Sequence, residues 1–510
     1  MKTIVMLYRV TCKYCREALG IMEKLQREKE VYRHLEIRYI DIDRDQGKVQ
    51  IEKDVQVPCY YMDGEKILEG IPDCGKIEAV FQKAFDRQEW RDMLCGKILR
   101  EEIVPALGCT EPGMIACAAS LGREVLGCMP EYFKIWVSGN ILKNVKSVCI
   151  PNSGGMKGVA EAVYCGILGG KAEKRLEVLN TLTEQKARRA AELVKEKRYA
   201  ICLAQTDEPL YVRIWMKKGV KTSEVEMKQS HTFISRVVKN GEDLTDYYRC
   251  CSPESQENDE RQQLKLKDYY EFSEETDIIL WKELLDRQIK YNMEISREGM
   301  QKEYGAEVGR NLLYLSPEQK SSELAAYAAA GSDARMGGSS LPVVTNAGSG
   351  NQGITISVPV ILYAKDRKKS QEQIYRALIF ANLVSVYIKS GIGKLSAYCG
   401  AVNAGCAAVC GIAFLEKEPL SVIEDIITNT LGTISGILCD GAKSSCAAKI
   451  AVSVQMGMLA YQMAKRKCRF ASGEGIIGGN ADQTIQNVGC IGKEGMRHTD
   501  RKILEIMLAQ

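Results

Sequence analysis

Three cysteines near the C-terminal end form the most informative chemical pattern in the chain. Cys399 is followed by Cys439 and Cys446, which enclose the segment Asp-Gly-Ala-Lys-Ser-Ser, in sequence rich in Gly, Ala and Ser and without an adjacent His or carboxylate cluster. Three thiolates, rather than four, predict a metal cluster that keeps one coordination position for a substrate. An iron at that position would act as a Lewis acid.

Other thiols compete for the same role. Cys399, Cys406 and Cys410 fall at positions i, i+7 and i+11 on one face of a predicted helix, so core packing explains them equally well. Residues 395–415 contain no charged side chain, but their Gly, Ala, Ser, Cys and Asn content favours a packed internal helix over a membrane span. The residues alone therefore leave the ligand set open.

A further thiol, Cys109, lies far upstream at a predicted helix start. Thr110 suits the N-cap, and Glu111 and Pro112 suit the first helical turn. The partial positive charge of a helix N-terminus should stabilise a Cys109 thiolate, the form that acts as base or nucleophile. A buried cysteine at a helix start is the alternative, with equal weight.

Two glycine-rich loops, 151–158 and 345–353, could hold a small anion through backbone N–H groups and Ser or Asn side chains. Neither has the spacing of a P-loop or a dinucleotide-binding fingerprint, so simple tight turns explain them as well. His231, at the start of a predicted strand, is interpreted as a structural histidine. The polar side chains of these loops that we expect to contact a bound ligand are Ser153, Asn346, Ser349 and Asn351.

A dithiol motif, Cys12-Lys-Tyr-Cys15, stands between a predicted strand and a predicted helix near the N-terminus. The helix N-terminus would stabilise the thiolate of Cys12 as nucleophile, and Cys15 would then resolve the mixed disulfide. The neighbouring pattern predicts a compact α/β unit, with strands at 3–8 and 36–41, helices at 17–29, after residue 41 and near 76–84, and a hairpin at Asp63-Gly64.

The composition indicates a globular protein of several domains in a reducing compartment. The 510 residues are 45% hydrophobic and 27% charged, which is enough for two or more cores. The 20 cysteines are scattered, unlike the dense disulfide framework of a small secreted domain. The net charge is only +4, so nucleic acid is not expected as a partner. Residues 1–8 are too short an apolar run for a signal peptide, and we expect a cytoplasmic protein.

The polar segment 86–92 is the expected join between an N-terminal domain, 1–85, and a body, 93–510. In the body, strands with intervening helices predict an α+β subdomain at about 131–250, and helices with Gly-rich turns predict a cluster-binding part at about 275–510.

Within this body, residues 173–197 are predicted to form one long charged helix. The polar run 252–263 is predicted to be an exposed loop or insertion.

The N-terminal unit resembles the glutaredoxin/thioredoxin-fold proteins. The carriers of the resemblance are Cys12-Lys-Tyr-Cys15, which matches the family's active site with Lys13 in place of Pro, and Val57-Pro58, which matches its cis-proline loop. The family's paired glycines are absent at residues 68–70, so glutathione binding is not carried over. A unit kept only for docking, or a metal clip with a distant partner, are the alternatives to redox activity.

The body is similar to the L-cysteine desulfidase family, which is related to the iron–sulfur L-serine dehydratases. The resemblance extends over residues 93–510 and rests on several motifs in the same order, which makes it more specific than any one of them. These motifs are Gly-Cys-Thr-Glu-Pro at 108–112, the segments 332–338, 346–353, 387–390, 395–401 and 439–443, and Gly495-Met496.

The resemblance implies an α+β, largely helical body with a [4Fe–4S] cluster on Cys399, Cys439 and Cys446 and with Cys109 as proton acceptor. It implies β-elimination of L-cysteine to hydrogen sulfide, ammonia and pyruvate. Two rivals remain: dehydration of L-serine by the same machinery, and a non-catalytic iron–sulfur redox sensor. The expected partner is a small amino acid, with no membrane or nucleic acid and with homo-oligomer formation left open.

Overall fold

The computed structural model describes residues 2–45, 55–248, 261, 263–393 and 395–509. The chain forms two compact units, one built chiefly from residues up to Lys97 and the other chiefly from those after it. We call them the N-terminal and C-terminal units. The predicted helix after residue 41 and the predicted insertion at 252–263 fall mostly outside the described residues.

The N-terminal unit is a mixed sheet with two helices. The sheet order is β2-β1-β3-β4; β1 is parallel to β2 and antiparallel to β3, and β3 is antiparallel to β4. Positive φ values at Asp63 and Gly64 fit the tight turn of the predicted β3–β4 hairpin. Its elements are β1 (Ile4–Tyr8), α1 (Lys13–Glu28), β2 (Ile37–Asp41), β3 (Cys59–Met62), β4 (Glu65–Glu69) and α2 (Cys74–Ala84).

The next helix, α3 (Arg87–Glu102), contains the polar segment that the sequence predicts as the join between domains. The division between the two units falls within this helix.

The first part of the C-terminal unit is a six-stranded sheet covered by helices, which agrees with the predicted α+β character. The order is β11-β10-β9-β8-β6-β7, and only β6 and β7 are parallel. Its elements are β5 (Pro105–Leu107), α4 (Thr110–Leu126), β6 (Tyr132–Val137), α5 (Gly139–Val145), α6 (Val159–Gly169), α7 (Glu184–Lys195), β7 (Tyr199–Leu203), β8 (Tyr211–Lys218), β9 (Lys221–Lys228), β10 (Ile234–Lys239), β11 (Glu242–Asp243) and α8 (Thr245–Tyr248).

The prediction of one helix over 173–197 is wrong. A 3₁₀ segment, Ala172–Thr181, is interrupted at Arg175, where φ is +49°. Thr183 then caps α7, because its side-chain oxygen accepts the amide of Lys186 at 3.4 Å. The charged composition of the segment hid this break, since a capping threonine inside a helical pattern is a weak signal.

The second part of the C-terminal unit is helical, as predicted. Residues 401–415 lie in one helix and are all buried, which places this helix at the centre of the bundle. Its burial on every side explains why it contains few polar residues. The elements are α9 (Leu266–Glu275), α10 (Lys282–Gln301), α11 (Val308–Leu315), α12 (Lys320–Met336), β12 (Pro342–Val344), α13 (Gly350–Asp366), α14 (Gln371–Ser390), α15 (Gly400–Leu415), α16 (Leu420–Ile434), α17 (Cys446–Lys465), α18 (Ala481–Cys490) and α19 (Arg497–Ala509).

A short antiparallel ladder ties the two parts together. Pro342 of β12 pairs with Leu107 of β5, and Val344 pairs with Pro105. Because β5 leads into α4 and β12 follows α12, the ladder places the start of α4 beside the end of α12.

Candidate active site

One cavity of the C-terminal unit, of about 110 Å³, collects the cysteines that the sequence analysis picked out. Cys109, Cys399, Cys439 and Cys446 all line it. The competing thiols, Cys406 and Cys410, are completely buried farther along α15 and lie outside this wall.

A short backbone ladder brings Cys399 and Cys439 together. The amide of Cys399 donates to the carbonyl of Ile437 at 3.1 Å, and the amide of Cys439 donates to the carbonyl of Ala397 at 2.6 Å. Two chain segments far apart in sequence thus carry their cysteines into the cavity next to each other.

Cys446 joins them because the intervening loop turns sharply at Gly441. The φ of Gly441 is +100°, and a Cβ there would lie 2.4 Å from the carbonyl oxygen of Lys143. Only glycine fits this position. Cys446 then begins α17, and its thiol donates to the Gly441 carbonyl at 3.7 Å.

Burial controls the protonation of these thiols. It raises the pKa of Cys399 to about 12, with the neighbouring Cys439 adding to the shift, and it also raises the pKa of Cys446. The positive charge of Lys449, whose ammonium donates to the carbonyl of Leu438 at 2.7 Å, opposes both shifts. Metal ligation requires thiolates, so binding of a cluster would release protons here.

The residues present fit an iron–sulfur cluster. Within the described ranges, no three His, Cys, Asp or Glu side chains form a group that could hold one ion. The three cysteines surround a cavity instead, and cysteine thiolates are the usual ligands of iron–sulfur clusters. Both side-chain amide atoms of Asn403 and the Oε1 of Gln352 are buried on this wall without hydrogen-bond partners. Buried polar groups need partners, which indicates a cavity built for a polar ligand.

Cys109 is the N-cap of α4, one residue earlier than the predicted cap at Thr110. Its thiol donates to Oε2 of Glu111 at 2.9 Å. A backbone amide at the helix start acts to lower the pKa of this thiol, as expected, but it is outweighed, and the alternative of a buried cysteine fits better. Burial and then the charge of Glu111 raise the pKa of Cys109 well above its usual range, although the nearby Arg335 opposes the shift.

Arg335 also lines the cavity, although the sequence did not single it out within the segment 332–338. The side chain is only 3% exposed, and it donates from Nε to the carbonyl of Gly108 and from Nη1 to Oδ1 of Asn351, both at 3.0 Å. Gly350 makes room for it, since a Cβ there would lie 2.4 Å from Nε. The available signal was an arginine in the Ala-rich, buried helix α12, because a buried guanidinium needs charged or polar partners.

His231, interpreted from sequence as structural, also lines the cavity. Its Nε2 lies 3.7 Å from Oε1 of Glu111, which is too long for a hydrogen bond, and this nitrogen is buried without a partner. Burial opposes ionisation of Glu111, but His231 and Cys109 stabilise its carboxylate and lower its pKa to about 2.

The predicted substrate-binding residues divide into two pairs. Ser349 and Asn351 line the cavity. Ser153 does not, because its hydroxyl donates to the carbonyl of Ile150 at 2.7 Å. Asn346 turns into the core, where Nδ2 donates to Oδ1 of Asn382 at 3.0 Å. We therefore drop Ser153 and Asn346 as substrate contacts.

Both glycine-rich loops are tight turns. Ala347 and Gly348 have positive φ, and the amides of Asn346 and Ser349 donate to each other's carbonyls at 3.1 and 3.0 Å. This turn leads directly into α13. In the other loop, positive φ values at Asn152, Gly154 and Gly155 make the turn before α6.

The dithiol of the N-terminal unit lies at the start of α1. Cys12 is the N-cap, and its sulfur accepts the amide of Cys15 at 3.3 Å. Burial acts to raise the pKa of Cys12 but is outweighed by hydrogen bonds from Cys15 and Tyr14, so the pKa is lowered; burial raises the pKa of Cys15 to about 11. The Cys12 thiol also lies 3.8 Å from the carbonyl oxygen of Val57, in the cis Val57-Pro58 pair.

Comparison with known proteins finds relatives that cover most of the chain. Residues 173–505 match the family described as serine dehydratase alpha chain. A UPF0597 protein of Treponema denticola is 40% identical over 417 residues, which are 81% of this chain and 97% of the relative. The UPF0597 protein DSY1109 of Desulfitobacterium hafniense is 43% identical over 413 residues, 81% of this chain and 96% of the relative. Among the described residues, no helix is long and apolar enough to cross a membrane.

Proposed function

The chain belongs to the serine dehydratase alpha chain family, and from this premise we propose that it is an iron–sulfur-dependent lyase acting on L-cysteine. The products would be hydrogen sulfide, ammonia and pyruvate. The single observation that carries the proposal is that Cys109, Arg335 and the three cysteines Cys399, Cys439 and Cys446 line one cavity.

Cys399, Cys439 and Cys446 would hold a [4Fe–4S] cluster through their thiolates. Such a group, when bound, supplies a Lewis-acid iron with one position for the substrate's leaving atom. Oε1 of Gln352 and both side-chain amide atoms of Asn403, which have no hydrogen-bond partner on the same wall, would form hydrogen bonds at its edge or at the substrate.

Arg335 would bind the substrate carboxylate, since its guanidinium is the buried cation fixed on the cavity wall by Gly108 and Asn351. Ser349, at the start of α13, lines the cavity as a second polar contact. These contacts orient the substrate, which lowers the barrier by limiting its motion.

Cys109, as thiolate, would take the proton from Cα of the bound substrate while the Cβ–S bond breaks and sulfide leaves. Its thiol is protonated in the resting site, so it would first release that proton to water as the substrate binds, and the Arg335 charge is the nearby group that favours this ionisation. The remaining aminoacrylate tautomerises to an imine, and water hydrolyses the imine to pyruvate and ammonia.

L-serine is the second candidate substrate, and the name of the matching family favours it. The same residues would act, with hydroxide leaving in place of sulfide. The softer thiol of cysteine has the higher affinity for iron in a sulfur-rich site, which is our reason for placing cysteine first.

Anaerobic purification, iron and sulfide analysis and a two-substrate assay test the proposal. We expect sulfide release from L-cysteine with a higher kcat/KM than pyruvate release from L-serine. A preference for serine would transfer the assignment to an L-serine ammonia-lyase. Turnover of neither amino acid by cluster-loaded protein would favour a redox sensor.

We further propose that the N-terminal unit is a thioredoxin-like dithiol domain that keeps the thiols of the C-terminal unit reduced. Its sheet order and the position of Cys12 at the start of α1 support this. The Cys12 thiolate would attack a disulfide of the C-terminal unit and form a mixed disulfide. Cys15 would then attack the Cys12 sulfur, which releases the reduced thiol of the C-terminal unit and leaves the Cys12–Cys15 disulfide. An external dithiol would reduce this disulfide again. If the Cys12→Ser/Cys15→Ser variant recovers from oxidation as fast as wild type, this role is excluded.

A further inference from the structure

Cys109 has two opposite charges near it on the cavity wall. Glu111 accepts its thiol hydrogen at 2.9 Å, and Arg335 is close enough to bias its ionisation in the opposite direction. Glu111 and Arg335 are 7% and 3% exposed, so both charges act in a region shielded from water. The cavity therefore has a negative pole at Glu111 and a positive pole at Arg335, and Cys109 is close to both.

Beside Glu111 lies a nitrogen, Nε2 of His231, that has no hydrogen-bond partner. Oε2 of Glu111 is taken by the thiol of Cys109 and, at 3.1 Å, by the hydroxyl of Thr110. Oε1 faces Nε2 of His231 across 3.7 Å, and Nε2 is buried without a hydrogen-bond partner. A buried nitrogen on a cavity wall without a partner indicates a ligand group that completes it.

A ligand nitrogen in the cavity that these residues line could contact both atoms at once. A nitrogen placed at about 2.9 Å from both Oε1 and Nε2, the usual hydrogen-bond length, forms a reasonable triangle over the 3.7 Å separation. On binding, an ammonium group could donate one hydrogen to the Glu111 carboxylate and another to Nε2 of a neutral His231 ring, and it would then replace the stabilisation that His231 gives the carboxylate in the free site.

We propose that Glu111 and His231 form the binding site for the α-amino group of the substrate, opposite Arg335, and so restrict the enzyme to α-amino acids. This inference rests on the proposed function, because it assumes that the substrate occupies this cavity. Since Cα carries both the amino group and the carboxylate, binding at the two poles places Cα between them. Cys109 contacts Glu111 and follows Gly108, whose carbonyl accepts from Arg335, so the same contacts that select the substrate would bring its Cα hydrogen near the base.

The test compares two ligands that differ only in the amino group, L-alanine and propionate, neither of which has a leaving group at Cβ. Affinities would be measured by calorimetry on the cluster-reconstituted full chain, so no turnover is needed. We expect wild type to bind L-alanine more tightly than propionate. Glu111→Gln should weaken L-alanine binding by about 10- to 100-fold, the range for a hydrogen bond to a charged group, while propionate binding stays within about 2-fold.

Two further variants keep the test decisive. His231→Asn should weaken L-alanine binding selectively and decides the matter if Glu111→Gln does not fold. Glu226→Gln is the matched control, because Glu226 is a partly buried carboxylate of the same unit, bonded to Tyr211 and Ser235 away from the cavity. This control should change neither affinity.

Equal weakening of both ligands by Glu111→Gln and His231→Asn would mean a structural role and would overturn the proposal. So would wild-type protein that binds L-alanine no better than propionate. A different result would separate the two proposals. If the chain turns over neither cysteine nor serine, but both variants lose affinity for L-alanine and not for propionate, the proposed reaction fails and the amino-group site stands.

Discussion

The thiol of Cys109 donates its hydrogen to Oε2 of Glu111 at 2.9 Å, inside a wall that is almost closed to solvent. The carboxylate therefore holds the thiol in its protonated form, and burial acts in the same direction. A cysteine in this setting is less reactive than a cysteine at the protein surface, because the thiolate is the reactive form. We expect it to become a base only when a bound substrate changes the charges around it.

Replacement of Cys109 by Ala is expected to lower kcat by about 10²- to 10⁴-fold, the usual contribution of a general base. Iron and sulfide content per chain should stay at the wild-type level, because Cys109 is not among the proposed ligands. Cys117→Ala is the matched control, since Cys117 is a buried thiol of the same helix that donates to the carbonyl of Ala172. Loss of the cluster in Cys109→Ala would instead indicate a ligand.

The ligand set is tested by single Cys→Ala substitutions. Cys399→Ala, Cys439→Ala and Cys446→Ala should each lower the iron bound after anaerobic reconstitution and remove activity, because three thiolates share one cluster. Cys406→Ala and Cys410→Ala should keep the full iron content, since both side chains lie inside the bundle and away from the cavity. If Cys446→Ala kept its iron and Cys406→Ala lost it, Cys406 would replace Cys446 as the third cluster ligand.

Much of the local structure was predictable because it depends on neighbours in sequence. The β3–β4 hairpin follows from Asp63-Gly64, and the position of Cys109 at the start of α4 follows from the helix-start residues after it. The prediction of a lowered Cys109 pKa failed for a physical reason. A helix N-terminus contributes a partial charge, whereas burial and the full charge of Glu111 both act against the thiolate.

The composition of the cavity could not be read from sequence, because its wall is assembled from distant segments. His231 stands in a connection before β10, and nothing in its neighbourhood indicates that it faces Glu111. Arg335 carried a detectable signal as a charge in an apolar helix, but its partners Gly108 and Asn351 are known only from the fold. The prediction of Asn346 as a substrate contact also failed, because its side chain points into the core and donates a hydrogen bond to Asn382.

Gly350→Ala should disturb substrate binding without touching the cluster. A Cβ at this position would lie 2.4 Å from Nε and 2.7 Å from Cζ of Arg335, so the guanidinium must move away from the carbonyl of Gly108. We expect KM to rise by about 10-fold or more, since a hydrogen-bonded charge loses its alignment. Gly436→Ala is the control, because a Cβ there has no neighbour within 4 Å. An unchanged KM for Gly350→Ala would argue against Arg335 as the carboxylate contact.

The pH dependence of Cys12 alkylation tests the dithiol of the N-terminal unit. Hydrogen bonds from Cys15 and Tyr14 outweigh burial and lower the pKa of Cys12, whereas burial raises the pKa of Cys15 to about 11. Because the thiolate is the reactive form, iodoacetamide should label Cys12 with a midpoint below the usual cysteine range and should leave Cys15 unlabelled at neutral pH. Peptide mass spectrometry resolves the two sites, with the exposed Cys468 as a reference.

The direction of change on mutation separates this mechanism from simple exposure of Cys12. Cys15→Ala removes the side-chain hydrogen bond that lowers the pKa of Cys12 but keeps the backbone amide of residue 15, which donates at 3.3 Å. The labelling midpoint of Cys12 should therefore move to higher pH, by part of the shift rather than all of it. An unchanged midpoint in Cys15→Ala would assign the lowered pKa of Cys12 to the backbone of α1 alone. A wild-type midpoint within the usual cysteine range would contradict the role of Cys12 as the attacking thiol.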